Sequence, residues 1–430
     1  MEALHKSRLR ALILLWAALL ALVFGGRMYT TDVLAQYEVA GSFTGQRPFM
    51  TVSGDFGWIV QGARPGLFVP HGAGFSILLI PAAVTGQFLG LNAGKLVMAL
   101  LNAGFSLALI GFWYASAVKK YSDVPVLRFI AIAICGMVLV YGRMTFDVTA
   151  AAAAAMAGFY FSLSNRSLAA GICLGFAILV RADSLLLLPL FANDWKSMKK
   201  LLSGLIPFLL LILFLNWYRF GNPFLDGHGQ DPAIAFEPFK GGIPGLLLSP
   251  GKGLLFYAPL CIFALFFQKD WRLWTPFILS LIFHGMLHDW SGGTGWGPRF
   301  LFTTLPFLLL PLSFRGAGGR IFPVIAILGI IVCIPAFWSN PCLLEQTSGA
   351  DLFDEPSRQA VLWTWSSSPL ISAFRNFAAG VPDLFGATAA ASAGISIWIG
   401  VLAQTIAASV LAATGISVLK KSRCAGKSAA

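Results

Sequence analysis

Apolar runs recur along almost the whole chain, at about 11–26, 95–117, 125–142, 148–164, 168–192, 201–217, 254–268, 273–288, 301–314, 321–338 and 393–418. A helix needs roughly 20 such residues to cross hydrocarbon, and no other open structure satisfies its backbone there. The expected fold is therefore all-α and polytopic: a bundle of about 12 transmembrane helices forming one integral-membrane domain over residues 1–430. With 57% hydrophobic and 11% charged residues, the charged share is about half that of a soluble domain. A soluble enzyme, a disordered tail, a disulfide scaffold and a collagen-like fibre are excluded.

Two segments decide how the chain is threaded. HKSRLR followed by Ala11 to Gly26 has the form of a signal peptide, but the many later spans favour an uncleaved first helix. The run 74–90, with Pro81, Thr85 and Gln87, either spans or lies in the interface. If it spans and 168–192 is a single helix, Lys119, Lys120 and Arg166 fall outside, against the positive-inside tendency. If it stays on the outer side and 168–192 is a helical pair broken near Arg181-Ala182-Asp183, every short basic loop is cytoplasmic. That second threading is the expectation.

It puts seventeen basic residues and four acidic ones on the inner face, so the net charge of +12 reports orientation and anionic lipid, not nucleic acid. The expected location is the cytoplasmic (inner) membrane, with both termini cytoplasmic and 419–430 as a cytoplasmic tail. Three long outer segments, 27–94, 219–253 and 339–392, are then the working surface.

The chemistry-bearing residues lie at the outer ends. Asp32 follows the first helix closely, where a carboxylate is rare without a partner or a task. As a general base it would take a proton from a bound hydroxyl; a helix-end acid hydrated by loop water is the equal alternative. Asp147 holds the corresponding place on another outer turn, four residues after Arg143, itself a substrate-binding candidate, and an N-cap of the helix from Val148 explains Asp147 without catalysis. Arg181 and Asp183 interrupt an apolar stretch, so they either neutralise each other or, for Arg181, meet an anionic head group with a bidentate fork.

Lys252 in SPGKG and Arg299 in GWGPRF combine a cation with glycines that allow close backbone approach, as phosphate or sugar contacts would. SPGKG lacks the spacing of a P-loop. Trp290 and Trp296 are candidates to stack on a sugar, although an interfacial aromatic belt explains them as well. His71, in VPHGAG, completes the substrate-binding set. The six cysteines show no zinc spacing, and His284 and His288, four apart, lack the adjacent Glu of a zinc hydrolase.

Taken in order, TTD at Asp32, the loop SGDFGWIVQGARPGLFVPHGAGFSILLIPA, RMTFD at Asp147, GFAILVRADSLLLLPL, NWYRFGNPFLDGHG, LLLSPGKGLLFYAPL and DWSGGTGWGPRFL resemble the GT-C superfamily of integral-membrane glycosyltransferases. The likeness covers most of residues 10–315 and is close to the bacterial branch related to protein mannosyltransferases and the aminoarabinose transferase of lipid A. It implies a polyprenyl-phosphate-linked sugar donor, a glycan, lipid or protein acceptor on the outer face, inversion at the anomeric carbon, and an interfacial helix in the first outer loop, here 74–90.

By the same resemblance Asp32 is the catalytic acid and Asp147 the second outer acid. The paired-acid form beside the first aspartate is absent, since Thr30 and Thr31 precede Asp32, so a divalent metal is left as an open alternative. No nucleotide or redox cofactor is implied, and membrane lipids are the remaining partner. The rival is a polytopic transporter or lipid-linked sugar flippase, which predicts inverted repeats and midplane acids. No repeat is visible and most acids cluster at outer ends, which favours the transferase.

Overall fold

The computed structural model describes residues 2–54, 59–192, 194–228, 236, 241–267, 269–340, 342, 355–380 and 382–428. The fold is helical, as expected. Helix α1 (Glu2–Val23) leads through Gly25-Gly26 into α2 (Thr31–Ser42), started by the Thr30 hydroxyl accepting from the Val33 amide. Three two-residue strands, β1 (Thr51–Val52), β2 (Val60–Gln61) and β3 (Leu67–Phe68), follow in the antiparallel order β1-β3-β2.

The run 74–90 forms two helices, α3 (Ala73–Leu78) and α4 (Ile80–Leu89). Gly90, at φ 88, turns α4 back onto α5 (Leu91–Tyr121), and a side chain at Gly94 would strike the Ala82 carbonyl. Next come α6 (Val126–Cys135), α7 (Val138–Arg143), α8 (Asp147–Leu163) and α9 (Ser167–Val180). Beyond α9 the backbone is extended at Arg181, continues as a 3-10 run over Ala182–Phe191, and then enters α10 (Trp195–Phe220). Gly171 lies against the Leu201 carbonyl and Gly204 against that of Leu168, so α9 and α10 start side by side. The 3-10 run is therefore a returning limb, and 168–192 is broken at Arg181.

The rest is α11 (Gly242–Leu248), α12 (Leu254–Tyr257), α13 (Pro259–Leu265), α14 (Trp271–Gly285), the 3-10 run Arg299–Thr304, α15 (Leu305–Leu309) and α16 (Ile321–Trp338). Three short helices, Glu355–Trp363, Pro369–Ala378 and Phe385–Ser392, precede the last, Ile397–Ser428.

Among the described residues, four helices are long and apolar enough to cross a membrane on their own: Leu91–Tyr121, Trp195–Phe220, Ile321–Trp338 and Ile397–Ser422. Several other expected spans are interrupted, by Met137 in the left-handed region, by Pro259, and by the 3-10 turns of 299–313. Irregular backbone survives in lipid only where protein covers it. Cys135, Val138, Leu301, Leu305 and Leu308 are accordingly fully buried.

The two ends of the bundle differ in charge. At one end Lys120 pairs with Asp270 (2.9 Å), Arg315 with Asp123 (2.5 Å), and Lys119 donates to Ser164 (2.8 Å). The last helix runs antiparallel to α1, Gln404 reaching the Ala21 carbonyl (2.8 Å) and Gly415 meeting Leu15, so both helices have their basic termini at this end. Asp32, Arg181 and Arg219 stand at the other.

Candidate active site

Asp32 sits in the first turn of α2, and the glycine-rich stretch 291–297 delivers Arg299 to it. Arg299 Nη1 donates to Asp32 Oδ2 at 2.8 Å, the carboxylate side chain 26% exposed and the arginine 11%. The same guanidinium lies 4.9 Å from the centre of the Phe146 ring, next to Asp147. Lys252 Nζ donates to the carbonyls of Gly293 and Gly295 (2.8 Å each), and the Tyr141 hydroxyl to that of Trp296 (2.7 Å). These bonds fix the loop that carries Arg299.

Arg181 lies between two acids. Its Nη1 donates to both oxygens of Asp147 (3.1 and 3.2 Å), while Nε and Nη2 grip Asp183 (3.1 and 2.8 Å). Asp183 Oδ2 is 3.2 Å from His284 Nε2, and the His284 ring stacks on Phe300 at 4.6 Å. A chain of contacts therefore runs from Asp147 through Arg181, Asp183 and His284 to Phe300, the neighbour of Arg299.

His71 arrives from the first loop. Arg219, buried at the end of α10, donates to the carbonyls of Val69 (2.7 Å) and His71 (3.0 Å). Gly72 then passes so close to the end of α9 that an added Cβ would lie 2.4 Å from the Leu179 carbonyl oxygen. The turn VPHGAG needs its glycine for that approach.

Burial opposes ionisation of Asp32, but the charge and hydrogen bond of Arg299, with the charge of Arg181, outweigh it and hold the carboxyl below its ordinary range. Burial pushes His71 down to about 4, against the pull of Asp32 and Asp147. His71 is thus neutral near pH 7 beside an ionised Asp32.

The structure brings Asp32, Asp147, Arg181 and Arg299 into two adjoining ion pairs, with His71 in their field. It separates four other candidates from any open surface. Arg143 is fully buried, donating to the carbonyls of Ala336 and Ser339 (2.6 Å each) and to Asp383 Oδ2 (2.8 Å) rather than to Asp147. Lys252 is spent on the loop carbonyls. Trp296 is fully buried against Tyr257, and Trp290 packs on Gly245 and 5.9 Å from Trp363, so neither presents a face for a sugar.

Asp147 is itself the first residue of α8, Phe146 being the N-cap, and its carboxylate binds Arg181 instead of capping backbone. His284, outside the candidate set, is the partner of Asp183; its spacing from Asp183 in the chain gave no signal of this. Asp383 and Arg219 were equally hidden. The parts of 219–253 and 339–392 at 229–235, 237–240 and 343–354 lie outside the described residues. No three His, Cys, Asp or Glu side chains among the described residues converge as a metal set, and both leading acids already face guanidinium groups.

No family model matches the sequence, and no curated protein matches it. Among solved structures, the chain is similar to ArnT from Cupriavidus metallidurans bound to undecaprenyl phosphate, with TM-score 0.51, 13% identity, and 95% of this chain against 75% of that one. The apo state of that ArnT matches with TM-score 0.45, 13% identity, and 94% against 74%. At such identity the likeness to the first establishes architecture alone: the chain has a GT-C-like polytopic membrane fold.

Proposed function

We propose that this chain is an inverting membrane glycosyltransferase that moves a sugar from a polyprenyl-phosphate donor to an acceptor, with Asp32 as general base. One observation carries the reading: a half-buried carboxylate, held ionised, stands 2.8 Å from a guanidinium at the non-basic end of the bundle. Such a pair offers both charges that glycosyl transfer needs. The carboxylate takes the proton of the acceptor hydroxyl while that oxygen forms its bond to the anomeric carbon. The bond from that carbon to the donor phosphate breaks, and the leaving polyprenyl phosphate keeps the electron pair.

Arg299 is the cation beside the base, and its positive charge stabilises the departing phosphate. Arg181 is already shared by Asp147 and Asp183, so its part is to fix the second acid rather than to receive the donor. His71, neutral, supplies a ring for sugar hydroxyls. Fold likeness to a structure bound to undecaprenyl phosphate supports a lipid-phosphate donor. The basic end is assigned to the cytoplasm of a bacterial cell and the Asp32 end to the outer face, with a glycan, lipid or protein as acceptor.

The test is transfer from a panel of radiolabelled polyprenyl-phosphate sugars by membranes containing the chain. The intact chain transfers one of them, and Asp32→Asn lowers that rate at least about 100-fold while the protein level is unchanged. Full activity in Asp32→Asn removes Asp32 from the mechanism.

A further inference from the structure

A second feature includes none of the residues of the Asp32–Arg299 and Asp147–Arg181–Asp183 pairs. Helix α1, helix α5 and the C-terminal hairpin enclose a groove of about 680 Å³, lined by Leu20, Phe24, Leu107, Phe385, Ala389 and Ile399 among others. Small residues at Ala17, Ala21, Ala103 and Ala403 leave its volume open, and Leu100, Ile395 and Ile399 form exposed apolar rims. The one polar side chain in the lining, Gln404, is turned to the backbone. Its Nε2 donates to the carbonyls of Ala21 (2.8 Å), Leu22 (3.2 Å) and Phe24 (3.0 Å), and its Oε1 accepts from the Gly386 amide (2.7 Å). Those are the orphan carbonyls at the end of α1. With them satisfied, the groove is apolar throughout.

Among the described residues, two arginines and one carboxylate stand together at its mouth. Asp383 faces two arginines, Arg143 (2.8 Å) and Arg27 (3.3 Å). Arg143 is wholly buried and needs that carboxylate; Arg27, 45% exposed, adds a further positive charge. Arg27 also donates to Thr388, on the same short helix as the groove residues Phe385, Gly386 and Ala389. Among the described residues a cation in excess therefore stands at the rim of this apolar slot.

We propose that this groove binds one acyl chain of an anionic phospholipid, whose headgroup phosphate lies on Arg27. An apolar slot takes the chain by shape, and the surplus charge selects the headgroup. No lining residue belongs to the Asp32–Arg299 or Asp147–Arg181–Asp183 pairs, and the occupant we assign is bulk lipid rather than the donor of the reaction proposed above.

The full chain in nanodiscs, with phosphatidylglycerol bearing a photoreactive group on one acyl chain, tests this. Crosslinks are expected in residues 17–24 and 385–407, at least threefold stronger than with the matching phosphatidylcholine probe. Arg27→Gln erases that preference, and Ala403→Phe abolishes the crosslink without touching Arg27. Labelling that is uniform around the bundle, or that survives Ala403→Phe in a folded protein, overturns the proposal. Displacement of the probe by a stoichiometric amount of undecaprenyl phosphate also overturns it, because the groove then belongs to the polyprenyl chain.

Discussion

Arg299 donates to Asp32 across 267 residues of sequence, and this one bond joins the first loop to the glycine-rich stretch before α15. Burial favours the neutral acid, so Arg299, the largest of the opposing charges, keeps Asp32 ionised. A carboxyl with a depressed value holds its charge above the ordinary carboxylate range and loses it only as pH falls through the lowered value. His71, down to about 4, is neutral over the same interval. Between pH 5 and 8 neither group titrates, and kcat/KM is expected to stay level within about twofold. In Arg299→Gln burial wins and the acid limb moves to higher pH; a profile that keeps its shape while only its height falls would contradict this.

Lys252 separates positioning from substrate contact. Its ammonium donates to Gly293 and Gly295, four residues before Arg299 at the nearer carbonyl. Lys252→Met keeps much of the volume and releases the loop. A misplacement of about 1 Å near reacting groups costs up to about 100-fold. The expected result is a kcat at least about tenfold lower with KM changed less than about twofold. A raised KM with kcat intact would instead make Lys252 a direct phosphate ligand.

Arg181 is a stability prediction. Its side chain and those of Asp147 and Asp183 are 14%, 11% and 10% exposed, so Arg181→Gln leaves two acids facing each other with their shared cation gone. Removing one member of a buried ion pair costs about 3–5 kcal/mol. Thermal unfolding of the purified protein should show that loss, and the triple variant with Asp147→Asn and Asp183→Asn should recover a large part of it. Equal unfolding of the single and triple variants would show that the charges are not the cause.

How much of this was legible depends on whether a signal is local. The helical class followed from run length, and the break near Arg181 from the requirement that the short basic loops lie on one side. Asp32 stood out because it closely follows a span, at the boundary of the hydrocarbon. The partners did not, because Asp383 and Arg143 are 240 residues apart, and Asp183 and His284 meet only when the 3-10 limb returns against α14. What tryptophans and cations beside glycines face is not a local signal: Trp296 is buried against Tyr257, Trp290 packs on Gly245, and Lys252 holds the carbonyls of Gly293 and Gly295. Composition marks which residues are unusual, and only packing tells whether they face a ligand or a backbone.

The orientation prediction rests on charge at opposite ends. Arg166, exposed at the start of α9, belongs to the end where Lys120–Asp270 and Arg315–Asp123 gather. Ala63, exposed, has its amide on the Arg219 carbonyl at the other end, near the loop that carries His71. Lys and Arg in short loops are retained in the cytoplasm, so the first position should face inward and the second outward. In a background with the exposed Cys424 replaced by Ser, a membrane-impermeant maleimide applied to spheroplasts is expected to label Ala63→Cys at once and Arg166→Cys only after the membrane is opened. The reverse pattern would place Asp32 and Arg299 on the cytoplasmic face, and a donor delivered from outside could then not be the substrate.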